Sequence, residues 1–99
     1  MHVNREEALK LLASSRDKID QIDNQIIDLI LERTSLAKDI GTAKKVLNTD
    51  IENTEREDYI QRKIKKLAKE NDIDEISLLE IMEILMKLNK SEQERILRR

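Results

Sequence analysis

Between Arg5 and Val46 the chain contains no proline, and aliphatic residues recur at helical spacing. Ile19, Ile22, Ile26, Leu29, Leu36, Ile40 and Ala43 alternate by threes and fours, and Arg33 fills the gap between Leu29 and Leu36. The pattern predicts one unbroken helix of roughly 42 residues, with Gly41 as a tolerated weak point. At about 1.5 Å per residue that helix spans about 63 Å, whereas a compact domain of this size has a radius of gyration of about 13 Å. Much of the apolar stripe would face water unless something covers it. The simplest cover is a second copy of the chain, so a homodimer is expected.

The rest of the sequence agrees with an all-α fold. Of 99 residues, 40% are charged and 38% hydrophobic, Tyr59 is the only aromatic, and proline and cysteine are missing. Such a chain lacks the turn formers and β-favouring aromatics that strands need. Its regular aliphatic spacing argues against the disorder that high charge otherwise implies. "LNTDIENTERED" interrupts the first helix with residues that favour turns and caps, and "TERE" at Thr54–Glu57 matches a capping box. "ENDID" marks a second break, with Asp74 placed to cap a third helix. We therefore expect a single domain over 1–99 with helices at about 5–47, 54–70 and 75–97. Tyr59, Ile60, Ile64 and Leu67 should form the inner face of the second helix. Ile76, Leu79, Met82, Leu85, Met86 and Leu88 should form that of the third.

Several function classes are disfavoured. A formal charge of −2, with acids and bases interleaved, provides neither a basic field for nucleic acid nor a polybasic membrane stripe. No stretch approaches 18 consecutive apolar residues, and the start lacks a signal peptide's apolar core. With no cysteine for a disulfide framework, a cytoplasmic protein is expected. His2 is the only histidine and lies at the terminus, so no metal site is expected. Gly41 alone cannot make a phosphate loop, and the serines lack a neighbouring base.

The informative residues are polar ones at helical spacing. Arg33 and Lys44, eleven residues apart, differ by only about 20° around an ideal helix and lie about 16 Å apart along it. Both can bend toward one small anion. Arg16 sits about 25 Å from Arg33 and about 100° round the helix, so only an antiparallel partner could deliver it to the same pocket. Asn53 and Glu57 share one face of the second helix, and Asn89 and Gln93 one face of the third. Together these residues suit a small dianion bearing a hydroxyl. Each also has a plainer role: Arg33 as a register-setting polar residue at a helix seam, Lys44 as a helix-end cation, the others as caps or surface groups.

"SRDKIDQIDNQIIDLILERTSLAKDIGTAKK" closely resembles the first helix of the all-helical (type II) chorismate mutases, and "ERED" the opening of their second. The correspondence runs ungapped from about Leu12 to Gln93. The resemblance implies a stand-alone isomerase, without cofactor or metal, that rearranges chorismate to prephenate on the route to phenylalanine and tyrosine. It further implies an intertwined homodimer in which each site is completed by the partner's first helix. By the same resemblance, Arg33 and Arg16 from the partner would hold the two substrate carboxylates. Lys44 and Gln93 would donate to the ether oxygen, and Glu57 would accept from the ring hydroxyl. Asn53 would lie nearby and Asn89 near a carboxylate. Asn53 stands where an acidic residue is common in the family, and Asn89 where a small hydroxyl residue is. An isochorismate pyruvate-lyase on the same fold, or a non-catalytic helical dimerisation module, are the alternatives.

Overall fold

The computed structural model describes residues 2–98, and its helices run Arg5–Leu47 (α1), Thr54–Glu70 (α2) and Glu75–Leu97 (α3). No strand occurs among the described residues. None of the helices is long and apolar enough to cross a membrane.

Each helix begins at a side-chain cap. Asn4 Oδ1 accepts from the Glu7 backbone N–H at 2.8 Å, while Asn4 Nδ2 donates to Glu7 Oε1 at 3.0 Å. Asp74 accepts from the Ser77 backbone N–H at 3.0 Å, the cap expected for α3. The cap of α2 is Asn53 rather than Thr54, its side chain accepting from the Arg56 backbone N–H at 3.0 Å. Asn is at least as good a cap as Thr, and moving the cap back one residue leaves Thr54 as the first helical residue. Both breaks are made by left-handed residues, Asn48 (φ 54°) and Asp72 (φ 52°). Thr49 N–H then returns to the Lys44 carbonyl and Ile73 N–H to that of Ala68, which ties off the final turns of α1 and α2. Asn and Asp tolerate this backbone region best after glycine, so a chain with one glycine can still turn twice.

Contacts divide the chain into two compact units, one up to Glu32 and one from Arg33 onward. The first contains no buried residue among those described, and Ile19 and Ile22 are each about half exposed. The second holds the buried residues of the described chain: Ala37, Gly41, Ile64, Ala68 and Gln93.

Within the second unit, the buried row of α1 is Ala37 and Gly41, flanked by Arg33 and Lys44, rather than the expected Leu36 and Ile40. These four residues follow 4-4-3 spacing and so share a face. Small residues in the middle of that row let α3 come close: a Cβ on Gly41 would lie 3.2 Å from Ile96 Cβ and 3.4 Å from Gln93 Cα. The inner row of α2 is Ile60, Ile64 and Ala68 at i, i+4, i+8, which leaves Tyr59 and Leu67 on its margins, both exposed. On α3, Leu79, Met82, Leu85 and Met86 turn inward, but Ile76 and Leu88 are exposed.

Candidate active site

The second unit encloses a cavity of about 330 Å³, within the range of small-molecule sites. Arg33, Leu36, Ile40 and Lys44 of α1 form one wall. Asn53, Arg56, Glu57 and Ile60 at the start of α2 form another, and Met86, Asn89, Lys90 and Gln93 of α3 a third. Ile51 closes it from the connection between α1 and α2. Four cationic side chains therefore face one carboxylate, with three amides beside them. Among the described residues, no serine, threonine, cysteine or histidine lines the cavity.

Arg33 and Lys44 are half-buried and held at their tips. Arg33 Nη1 donates to the Leu85 carbonyl at 3.0 Å, so a guanidinium with five N–H groups keeps four for other acceptors. Lys44 Nζ donates to the Ile51 carbonyl at 2.6 Å, which draws the connection toward α1 and leaves two ammonium hydrogens. Gln93 is 5% exposed. Its Nε2 donates to Asn89 Oδ1 at 2.5 Å, and its Oε1 is buried without a partner among the described residues. An unpaired buried amide oxygen costs about 1–3 kcal/mol, a penalty that active sites carry until a ligand arrives.

Asn53 lines the cavity while its Oδ1 caps α2, which leaves its two amide hydrogens and one oxygen lone pair for a ligand. Glu57 is ion-paired with Lys90, whose Nζ also reaches Glu52 Oε1 at 3.1 Å. Pairing with Glu57 first, and Glu52 second, holds the Lys90 ammonium above its usual range. Arg56 places its guanidinium 5.1 Å from the centre of the Tyr59 ring.

Six of the residues named from the sequence thus line one cavity: Arg33, Lys44, Asn53, Glu57, Asn89 and Gln93. Arg16 lies in the unit up to Glu32, where it is exposed. Two cations, Arg56 and Lys90, escaped the sequence reading. Helical spacing contained the signal for both, since Arg56 is three residues from Asn53, and Lys90 is four from Met86 and three from Gln93.

An all-helical chain with a cationic cavity that lacks hydroxyl, thiol and imidazole groups among the described residues is chemically suited to a small anion. The chain belongs to the chorismate mutase type II family, which matches residues 15–94. It is 46% identical over 89 residues to the chorismate mutase of Methanocaldococcus jannaschii, and the match covers 90% of each chain. A 59-residue stretch is 46% identical to the bifunctional chorismate mutase/prephenate dehydratase of Aquifex aeolicus, covering 60% of this chain but 16% of that one. Among solved structures, a conserved hypothetical protein from Pyrococcus furiosus superposes with a TM-score of 0.66 at 40% identity. That match covers 87% of this chain and 95% of the other.

Proposed function

We propose that the protein is an isomerase that converts chorismate to prephenate by holding the substrate in its reactive shape and stabilising charge on the ether oxygen. The observation that carries this reading is the cavity's lining of four cations and one carboxylate, with no hydroxyl, thiol or imidazole among the described residues. A pericyclic rearrangement breaks the C–O ether bond and forms a C–C bond in one step, with no proton transfer to or from the enzyme. What it needs is conformational restraint and preorganised donors where charge develops.

The roles come from the hydrogen-bonding capacity left at each group. Arg33 can clamp a carboxylate with the N–H groups that Leu85 does not use. Lys44 can direct a free ammonium hydrogen to the ether oxygen. Gln93 can do the same after half-turns of both its own amide and that of Asn89, which would let it accept from Asn89 Nδ2 and also relieve its unpaired oxygen. Glu57 accepts from the ring hydroxyl. Asn53 and Asn89 contribute amide hydrogens toward the substrate's polar edge.

The second substrate carboxylate is assigned to Arg16 of the partner in a homodimer. Support comes from burial: the unit up to Glu32 exposes its whole aliphatic stripe, and no large side chain is fully buried in the described chain. A solitary chain of this kind has too little core to stay folded, and association would cover the stripe.

The test is to co-express Arg16→Ala and Arg33→Ala chains. Each homodimer should be nearly inactive on chorismate, whereas mixed dimers rebuild one intact site in two. Random pairing should restore about a quarter of wild-type activity. No restoration would place Arg16 and Arg33 in the same chain's site. Prephenate identified as product confirms the reaction, while pyruvate release from isochorismate without chorismate turnover would point to the lyase.

A further inference from the structure

We propose that Lys90 is a positioning and specificity-determining residue that neutralises Glu57, so that a cavity containing a carboxylate can accept a dianion. The inference rests on the chorismate reading of the site. Glu57 is the only carboxylate lining the cavity among the described residues. A hydroxyl-bearing ligand benefits from such an acceptor, but a ligand with two carboxylates is repelled by it. Two like charges in a half-buried site repel each other more strongly than they would in open water. A compensating cation close to Glu57 removes that conflict, and Lys90 supplies one.

The geometry separates this role from an ordinary surface ion pair. Glu94 stands four residues after Lys90, in position for the usual helical pairing, yet the Lys90 ammonium crosses from α3 to Glu57 on α2. The Lys90 and Glu57 side chains are 34% and 25% exposed. Their pair is therefore less screened than one in open water, while Glu52 is 71% exposed and adds little. Lys90 engages Glu57 through Oε1, which leaves Oε2 as the acceptor for a hydroxyl. Because Lys90 is committed to carboxylates of its own chain, the dianion is left to Arg33, Lys44 and, in the proposed homodimer, Arg16 of the partner. Lys90 thus sets the charge and orientation of the one acid in the cavity without being a cation that the ligand itself requires.

The test is a double-mutant cycle read in KM and kcat. Lys90→Met should raise KM for chorismate about tenfold and leave kcat within about threefold, because the repulsion acts on substrate and transition state alike. Lys90→Arg should restore most of the KM. In a Glu57→Gln background, where there is no charge to neutralise, Lys90→Met should change KM by less than about twofold. Where that background turns over too slowly, calorimetric binding of prephenate gives the same comparison. Circular dichroism confirms that each variant is helical. An equal effect of Lys90→Met in both backgrounds, or no effect with Glu57 present, overturns the proposal and leaves the reaction assignment intact. If the wild-type protein does not turn over chorismate, the assignment fails and the proposal falls with it.

Discussion

Up to Glu32 and beyond Arg33, α1 carries the same aliphatic rhythm, but its residues end in different surroundings. The first stretch places Ile19, Ile22 and Ile26 in solvent along its length, and none of the described residues in that unit is buried. In the second, the buried positions are Ala37 and Gly41, and the larger Leu36 and Ile40 border the cavity. The contrast shows what an apolar stripe means in a long helix. It marks surface that must be covered, but the covering element decides which residues become core and which become the wall of a site. Where α3 meets α1, Gly41 leaves room for Ile96 and the Gln93 backbone, while Leu36 and Ile40 border the cavity.

The largest effect expected on this comparison is on the cavity side. In the proposed mechanism Lys44→Ala removes a donor to the developing charge and should lower kcat by about 10²–10³, or about 3–4 kcal/mol, with helicity retained. A loss below tenfold in a folded variant would remove Lys44 from the chemistry. Next is the stripe itself. Ile22→Glu would bury a charge if a partner covers this face, and should weaken association by about 3 kcal/mol or more, seen by sedimentation as dissociation into poorly helical chains. If the variant associates like wild type, the stripe is not the interface.

Gly41→Ala sharpens the contrast from inside the second unit. Alanine gains about 1 kcal/mol in helix propensity, but its Cβ would press on Ile96 and the Gln93 backbone, and overpacking costs about 1–3 kcal/mol. The expected balance is a loss of up to about 2 kcal/mol in thermal denaturation. Activity should also fall severalfold, because Gln93 is displaced. An alanine placed at an exposed position up to Glu32, as in Gln21→Ala, should do neither.

The smallest effect is at the α3 cap. Hydrogen bonds from the Ser77 hydroxyl and backbone hold the Asp74 carboxyl below its ordinary value of 3.8. A depressed folded-state pKa stabilises the protein above the unfolded value and loses that contribution as pH falls through the folded one. Asp74→Ala should therefore lower the melting temperature by a few degrees at neutral pH, and the difference from wild type should shrink below about pH 3.8. A constant difference at all pH values would mean that the carboxylate charge plays no part.

The caps and breaks illustrate how far local rules reach. Asp74 was readable as a cap because nothing competed for the role. At α2, the capping-box pattern favoured Thr54, yet Asn53 one residue earlier caps the helix with a single acceptor. Arg33 was readable because it interrupts an apolar stripe, and Lys44, Asn53, Glu57, Asn89 and Gln93 because they share helix faces at regular spacing and match the family's pattern. Lys90 and Arg56 were not, because in a chain where 40% of residues are charged a lysine beside a glutamate looks like any solvated pair. What distinguishes Lys90 is the choice of Glu57 over Glu94, a contact between helices that spacing along one helix cannot express.

Local sequence dictates that the chain is helical, where its helices start and stop, that the first runs unbroken for more than forty residues, and which family it belongs to. Those properties rest on backbone sterics, capping and periodicity, all of which act within a few residues. Tertiary packing selects Ala37 and Gly41, rather than Leu36 and Ile40, as the buried positions of α1, and buries the Gln93 amide with an unpaired oxygen. It also brings Lys90 to the one acid of the described cavity. These outcomes depend on how closely two helices approach and which charges meet across the gap, and both are set by volumes and distances between residues far apart in the chain.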